Sequence, residues 1–159
     1  MSKITDDQLE KLSQPLPDWA VKNHPTKKGM SAIHPMAIVD RLNVVFGLGG
    51  WNTHVEKLSA YEWVQPTKAG SRKVYTATCK VSFEVDELGI WLEQFGGSTN
   101  DDEGDALKGA ATDGLTKIAS YLGIGASIYK GQGNVPNSTS NSSPRALQRV
   151  ISDDSDDIF

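Results

Sequence analysis

The sequence predicts an α+β fold in which an antiparallel meander of three to four strands packs on one long helix. Three observations predict it. Residues 75–85 alternate, with Tyr75, Ala77, Cys79, Val81, Phe83 and Val85 on one parity and Thr76, Thr78, Lys80, Ser82 and Glu84 on the other, which is the pattern of a half-buried strand. Strand-like runs at residues 51–64 and 90–95 flank it across turn-forming segments, so sequential neighbours pair. Residues 108–130, KGAATDGLTKIASYLGIGASIYK, then switch to helical spacing.

The elements follow in order. Residues 1–13 read as a short helix that QPLPDW, with its two prolines, brings to an end. Met36, Ile38, Val39, Leu42, Val45 and Phe46 recur at helical spacing behind Pro35, which suits a first turn, and GLGG stops this helix. In the first strand Trp51, Thr53, Val55, Ser59, Tyr61 and Trp63 share a parity, and QPTKAGSR reads as a polar loop. Asp86 to Gly89 forms a turn before the third strand. The long helix is expected to open near Ser98 to Asn100, whose side chains can cap free N–H groups, with Asp101, Asp102 and Glu103 in a first turn that favours negative charge.

Within that helix Gly109 and Gly114 each cost about 1 kcal/mol relative to Ala. Gly109, Thr112, Thr116 and Ser120 form a small, flat face, which reads either as the close approach of a backbone, from a neighbouring subunit or a nucleic acid, or as a solvated face with two tolerated glycines. The spacing in NDDEGD does not fit a calcium loop, because no carboxylate closes it at the right distance.

At 159 residues, 38% apolar, the chain suits one compact body with appendages. The body is residues 1–130, a low-complexity segment at 131–151 is a flexible linker, and residues 152–159 are an acidic tip. Cys79 is the sole cysteine, so a disulfide framework is excluded, and its place in the alternating strand predicts a buried thiol. No run is long enough for a membrane span, and acids occupy the place of a signal peptide's apolar core, so a cytoplasmic protein is expected. The net charge of −4 is split evenly between body and tail, and the body has local basic clusters at Lys22, Lys27 and Lys28 and at Lys68, Arg72 and Lys73.

Nothing points to catalysis. There is no GxxxxGK[ST] loop, so the glycine clusters read as turns. His24, His34 and His54 lack metal-ligand spacing, and Cys79 has no activating partner in sequence. The chain is read as a non-enzyme without metal or cofactor.

Three segments in order, FGLGGW at 46–51, RKVYTATCKVSFEV at 72–85 and KGAATDGLTKIASYLGIG at 108–125, resemble the Rad fifty-two family of single-strand annealing proteins, and its bacterial and phage members most. The most specific element is A-x-T-D-G-L with a later glycine, here Ala110, Thr112, Asp113, Gly114, Leu115 and Gly123. The resemblance implies ATP-independent recombination and double-strand break repair, in the cytoplasm on the nucleoid. Homo-oligomeric rings or arcs would hold single-stranded DNA in a basic outer groove while a complementary strand pairs. Residues 1–130 would then be an annealing and oligomerisation domain.

Carried over residue by residue, the resemblance implies DNA contacts at Lys73, before the central strand, and at Lys108 and Lys117 on the helix. Two adjacent family cations correspond to Thr116 and Lys117, so one has become a hydroxyl, and a further family arginine falls on Ser120. An N-terminal arginine corresponds approximately to Lys22. Lys80, on the polar parity, either replaces lost charge or is a solvated strand lysine.

The terminal SDDSDDIF is similar to the acidic tip of bacterial single-stranded-DNA-binding proteins, without the usual proline before Phe159. Asp153, Asp154, Asp156, Asp157, Ile158 and Phe159 would recruit an exonuclease, a helicase or a host repair protein. Self-competition with DNA and an unselected acidic end are the other readings. A passive strand-protecting module that recruits partners through this tail is the alternative to annealing.

Overall fold

The computed structural model describes residues 2–24 and 30–130. The linker at 131–151, the tip residues Asp153, Asp154, Asp156, Asp157, Ile158 and Phe159, and Lys27 and Lys28 lie outside the described residues. The chain runs through helix α1 (Asp6–Ser13), a 3-10 turn (Asp18–Ala20), strands β1 (Val21–Asn23) and β2 (Ser31–Ile33), and helix α2 (Pro35–Phe46). Strands β3 (Asn52–Thr67), β4 (Gly70–Val85) and β5 (Ile90–Asn100) follow, then helix α3 (Glu103–Tyr121) and a short α4 (Ala126–Tyr129). β3, β4 and β5 form an antiparallel sheet in that order, and β1 and β2 form a separate antiparallel pair. The α+β meander on a long helix is therefore the observed architecture.

Local chemistry explains the ends of the helices. Thr5 opens α1 with a capping box: its hydroxyl accepts from the Gln8 N–H at 3.2 Å and its own N–H donates to the Gln8 side chain at 3.0 Å. Arg41 on α2 closes the other end of α1, donating to the carbonyls of Lys11 and Gln14, each at 2.7 Å. The C-terminal carbonyls of α1 are thereby satisfied and the two helices tied together. His34 caps α2, its Nδ1 accepting from the Met36 N–H at 3.2 Å, with Pro35 in the first turn as expected.

The sheet and the long helix depart from the sequence reading in four places. The segment read as a polar loop at 65–72 is strand on both sides of a two-residue turn at Lys68 and Ala69. A register shift between Lys57 and Ser59 places Thr53 and Val55 on one face but Ser59, Tyr61 and Trp63 on the other, so these residues do not share a parity in space. β5 continues to Asn100, so Ser98 to Asn100 are strand, and the α3 cap is Asp102, which accepts from the Asp105 N–H at 2.9 Å. Lastly, the helix does not reach residue 130. It stops at Tyr121, with Gly123 and Gly125 at positive φ before α4.

The core lies between α3, β4 and the N-terminal helices. Phe83, Val81, Leu12, Ile38, Leu42 and Ile118 are buried together, and Trp51 stacks on Phe83 at 5.8 Å while its Nε1 donates to Asn43 at 2.9 Å. A second cluster joins Ala77 and Cys79 of β4 to Ala106 and Ala110 of α3. Glycines allow this second contact. A Cβ on Gly96 would strike the Ala110 carbonyl, one on Gly114 would sit 2.5 Å from Val81 Cγ2, and one on Gly109 would strike Ser98. Gly109, the one glycine of the predicted flat face, is thus used by the chain's own sheet rather than by an outside backbone.

Candidate nucleic-acid interface

α3 lies over β4 and β5, so β3 is an edge strand whose residues are nearly all exposed. Side chains alternate across the sheet. Lys73 therefore shares the face on which Ala77 and Cys79 meet α3, and Lys80 lies on the opposite face. Lys117 sits against the free edge of β5, Lys108 is exposed on α3, and Lys22 is exposed on β1. Within one chain the six implied DNA contacts do not converge on a single groove.

Their electrostatic surroundings differ. Lys80 lies between Glu56 at 2.9 Å and Glu93 at 3.9 Å, so this spot is net negative and unfavourable to phosphate. Lys108 pairs with Asp105 at 3.1 Å, and three more acids precede Asp105 in sequence. Lys117 pairs with Asp113 at 2.8 Å and donates to the Phe95 carbonyl at 3.0 Å, while Asp113 accepts from the Gly97 N–H at 3.0 Å. This pair closes the middle of β5's open edge, which would otherwise present unpaired backbone groups. Thr116 turns its hydroxyl inward, donating to the Thr112 carbonyl at 2.8 Å. Lys22 has no carboxylate partner among the described residues; with Asn23, Ala32, Ile33 and His34 it lines a shallow depression.

The hairpin tip is different. Lys68 in the turn, Arg72 and Lys73 put three cations at the tip against one carboxylate, Glu62, which shares a face with Lys73 while Arg72 lies on the opposite face with Gln65. Arg72 donates to Gln65 at 2.8 Å, which leaves its charge unneutralised. Lys73 Nζ lies 3.1 Å from Glu62 and 5.8 Å from the Tyr75 ring centroid, and the Tyr75 hydroxyl donates to the same Glu62 oxygen at 2.9 Å. The hydrogen bonds from Lys73 and Tyr75 hold the Glu62 carboxyl below its ordinary pKa, and Glu62 raises that of Lys73. Both groups are therefore charged at neutral pH. On the other face of the tip Trp63 donates to Thr76 at 2.8 Å, and Tyr61, directly across from Thr76, is exposed.

Sequence reasoning identified the cations at the tip and missed Glu62. A signal for it exists: between Lys57 and Phe83 the chain has five cations and one acid, which is Glu62. Among the described residues no group of three or more His, Cys, Asp or Glu side chains is placed to hold a metal ion, and no helix is long and apolar enough to cross a membrane.

Two comparisons bear on this geometry. A model of the Rad52/22 family of double-strand break repair proteins matches residues 5–146. Comparison with curated proteins gives no match.

Proposed function

Because the chain belongs to the Rad52/22 family of double-strand break repair proteins, we propose that it binds single-stranded DNA and anneals complementary strands without nucleotide hydrolysis, acting as a homo-oligomer and not as an enzyme. The observation that carries this reading is the hairpin tip, where Lys68, Arg72 and Lys73 outnumber Glu62 beside Tyr75. Cations that engage phosphates without reading bases, next to a half-buried tyrosine ring, suit a strand held by its backbone and free to pair. Base pairing itself supplies the driving free energy, so no phosphate-hydrolysing loop is required.

Self-association has its own support. β3 exposes Val55, Leu58, Tyr61, Trp63 and Val64 along an unpaired edge, while Asp113 and Lys117 close the middle of the other edge. The two edges are therefore not equivalent. A head-to-tail contact repeated around an axis gives a ring, or an arc if it does not close, and repetition multiplies the modest charge of each tip.

Binding of a labelled single-stranded oligonucleotide tests the DNA reading. Lys73→Ala is expected to weaken binding and to flatten the dependence of log K on log salt by about 0.7 for each phosphate that is no longer neutralised. Lys80→Ala, held between two acids, is expected to leave binding nearly unchanged. Equal effects of the two changes would remove the tip as the DNA site.

A further inference from the structure

Glu62 is placed as a competitor for the DNA backbone. Its carboxylate lies 3.1 Å from Lys73 Nζ, where a phosphate oxygen would have to sit. The Tyr75 hydroxyl, donating at 2.9 Å from the neighbouring strand, anchors it there. Register fixes the arrangement, since Glu62 lies directly across from Tyr75 and diagonal to Lys73 on the same face. No second acid lies between Lys57 and Phe83, so Glu62 is the one carboxylate of the hairpin's tip half, the hairpin's other acids, Glu56 and Glu84, lying toward its base.

We propose that Glu62 is an intramolecular counter-ion that sets the strength with which the hairpin tip holds single-stranded DNA: phosphate and the Glu62 carboxylate alternate on Lys73. The proposal rests on the DNA reading above and adds the regulation of that site. Its consequence for annealing is direct. A strand gripped too tightly cannot adjust its register against a complement, and a resident carboxylate that replaces each departing phosphate lets the backbone leave Lys73 without stranding an unpaired cation. Because the pairing keeps Glu62 ionised through the neutral range, the competition operates at physiological pH and is relieved by substitution rather than by mild acid.

Binding of a labelled thymidine homopolymer to the full-length chain at low salt is the test, with Glu62→Gln, Tyr75→Phe, Lys73→Gln and the Glu62→Gln/Lys73→Gln pair. Glu62→Gln keeps size and a Tyr75 acceptor while removing charge, and is expected to tighten binding about two- to five-fold, the range of one exposed ion pair. Tyr75→Phe, which frees the carboxylate but keeps its charge, is expected to give a smaller gain. In the Lys73→Gln background the Glu62 effect should vanish. Unchanged or weaker binding by Glu62→Gln in a chain that otherwise binds DNA would overturn the proposal and leave the DNA reading intact. A gain that persists without Lys73 would reduce Glu62 to general surface charge and overturn it too. If no chain binds the oligonucleotide, both the proposal and the DNA reading fall.

Discussion

Gly96 and Gly114 set the distance between α3 and the sheet, because an added methyl would meet the Ala110 carbonyl in one case and the buried Val81 side chain in the other. Gly96→Ala is expected to destabilise the protein by about 3 kcal/mol, as the backbone it strikes can yield only if the helix lifts. Gly114→Ala offsets part of a similar clash with its better helix propensity and is expected to cost about 1–2 kcal/mol. Chemical denaturation measures both, and a stabilised Gly114→Ala would show that Val81 can move aside. At this scale the sequence exposes identity but not partnership. The small residues of α3 are plain to read, yet whether they face an outside backbone or the chain's own Ser98 and Gly96 depends on a fold the sequence does not display. Asp113 is similar, since its bond to the Gly97 N–H joins residues sixteen apart on different elements.

Among the elements, α2 and β4 are the most legible. Pro35 and the apolar spacing fix α2 at its observed bounds, and the strict alternation of β4 identifies the face that meets α3. Val74 and Ser82 are the exceptions, both buried on the polar parity, Val74 beside Trp63, its cross-strand neighbour, and Ser82 donating to Glu93 at 2.9 Å. The hairpin tip misreads as a loop because strands exposed on both faces need no apolar alternation, so Gln65, Thr67, Ser71 and Arg72 look like connecting chain. The bulge in β3 and the three-residue strands β1 and β2 are too brief to leave a period. β3 also carries the assembly argument. Val55 and Val64 share the helix-side face of the sheet, and both are exposed in the single chain. Val55→Glu/Val64→Glu is therefore expected to change stability by no more than about 0.5 kcal/mol per site while shifting sedimentation to smaller species. Unaltered particle size would move the subunit contact away from this strand.

For the molecule as a whole, membership of the Rad52/22 family of double-strand break repair proteins stands beside a hairpin tip where cations outnumber acids. The three sequence segments that carry the resemblance have identifiable structural work here. Trp51 of the first is pinned to Phe83 and Asn43, and Gly114 and Asp113 of the third fix α3 to the sheet. Much of the motif therefore specifies the scaffold, and of the cations it carries Lys73, Lys80, Lys108 and Lys117 are each paired with an acid while Arg72 meets only Gln65. Under the proposed function, DNA would then be held by many weak tips acting together rather than by one strong contact. The most direct measurement is the annealing rate of two complementary single-stranded oligonucleotides mixed with the full-length chain in the absence of ATP. The account predicts a rate well above the spontaneous one that falls with added salt and with Lys73→Ala. Strands that are bound and yet anneal no faster than without protein would contradict it and leave a module that only protects them.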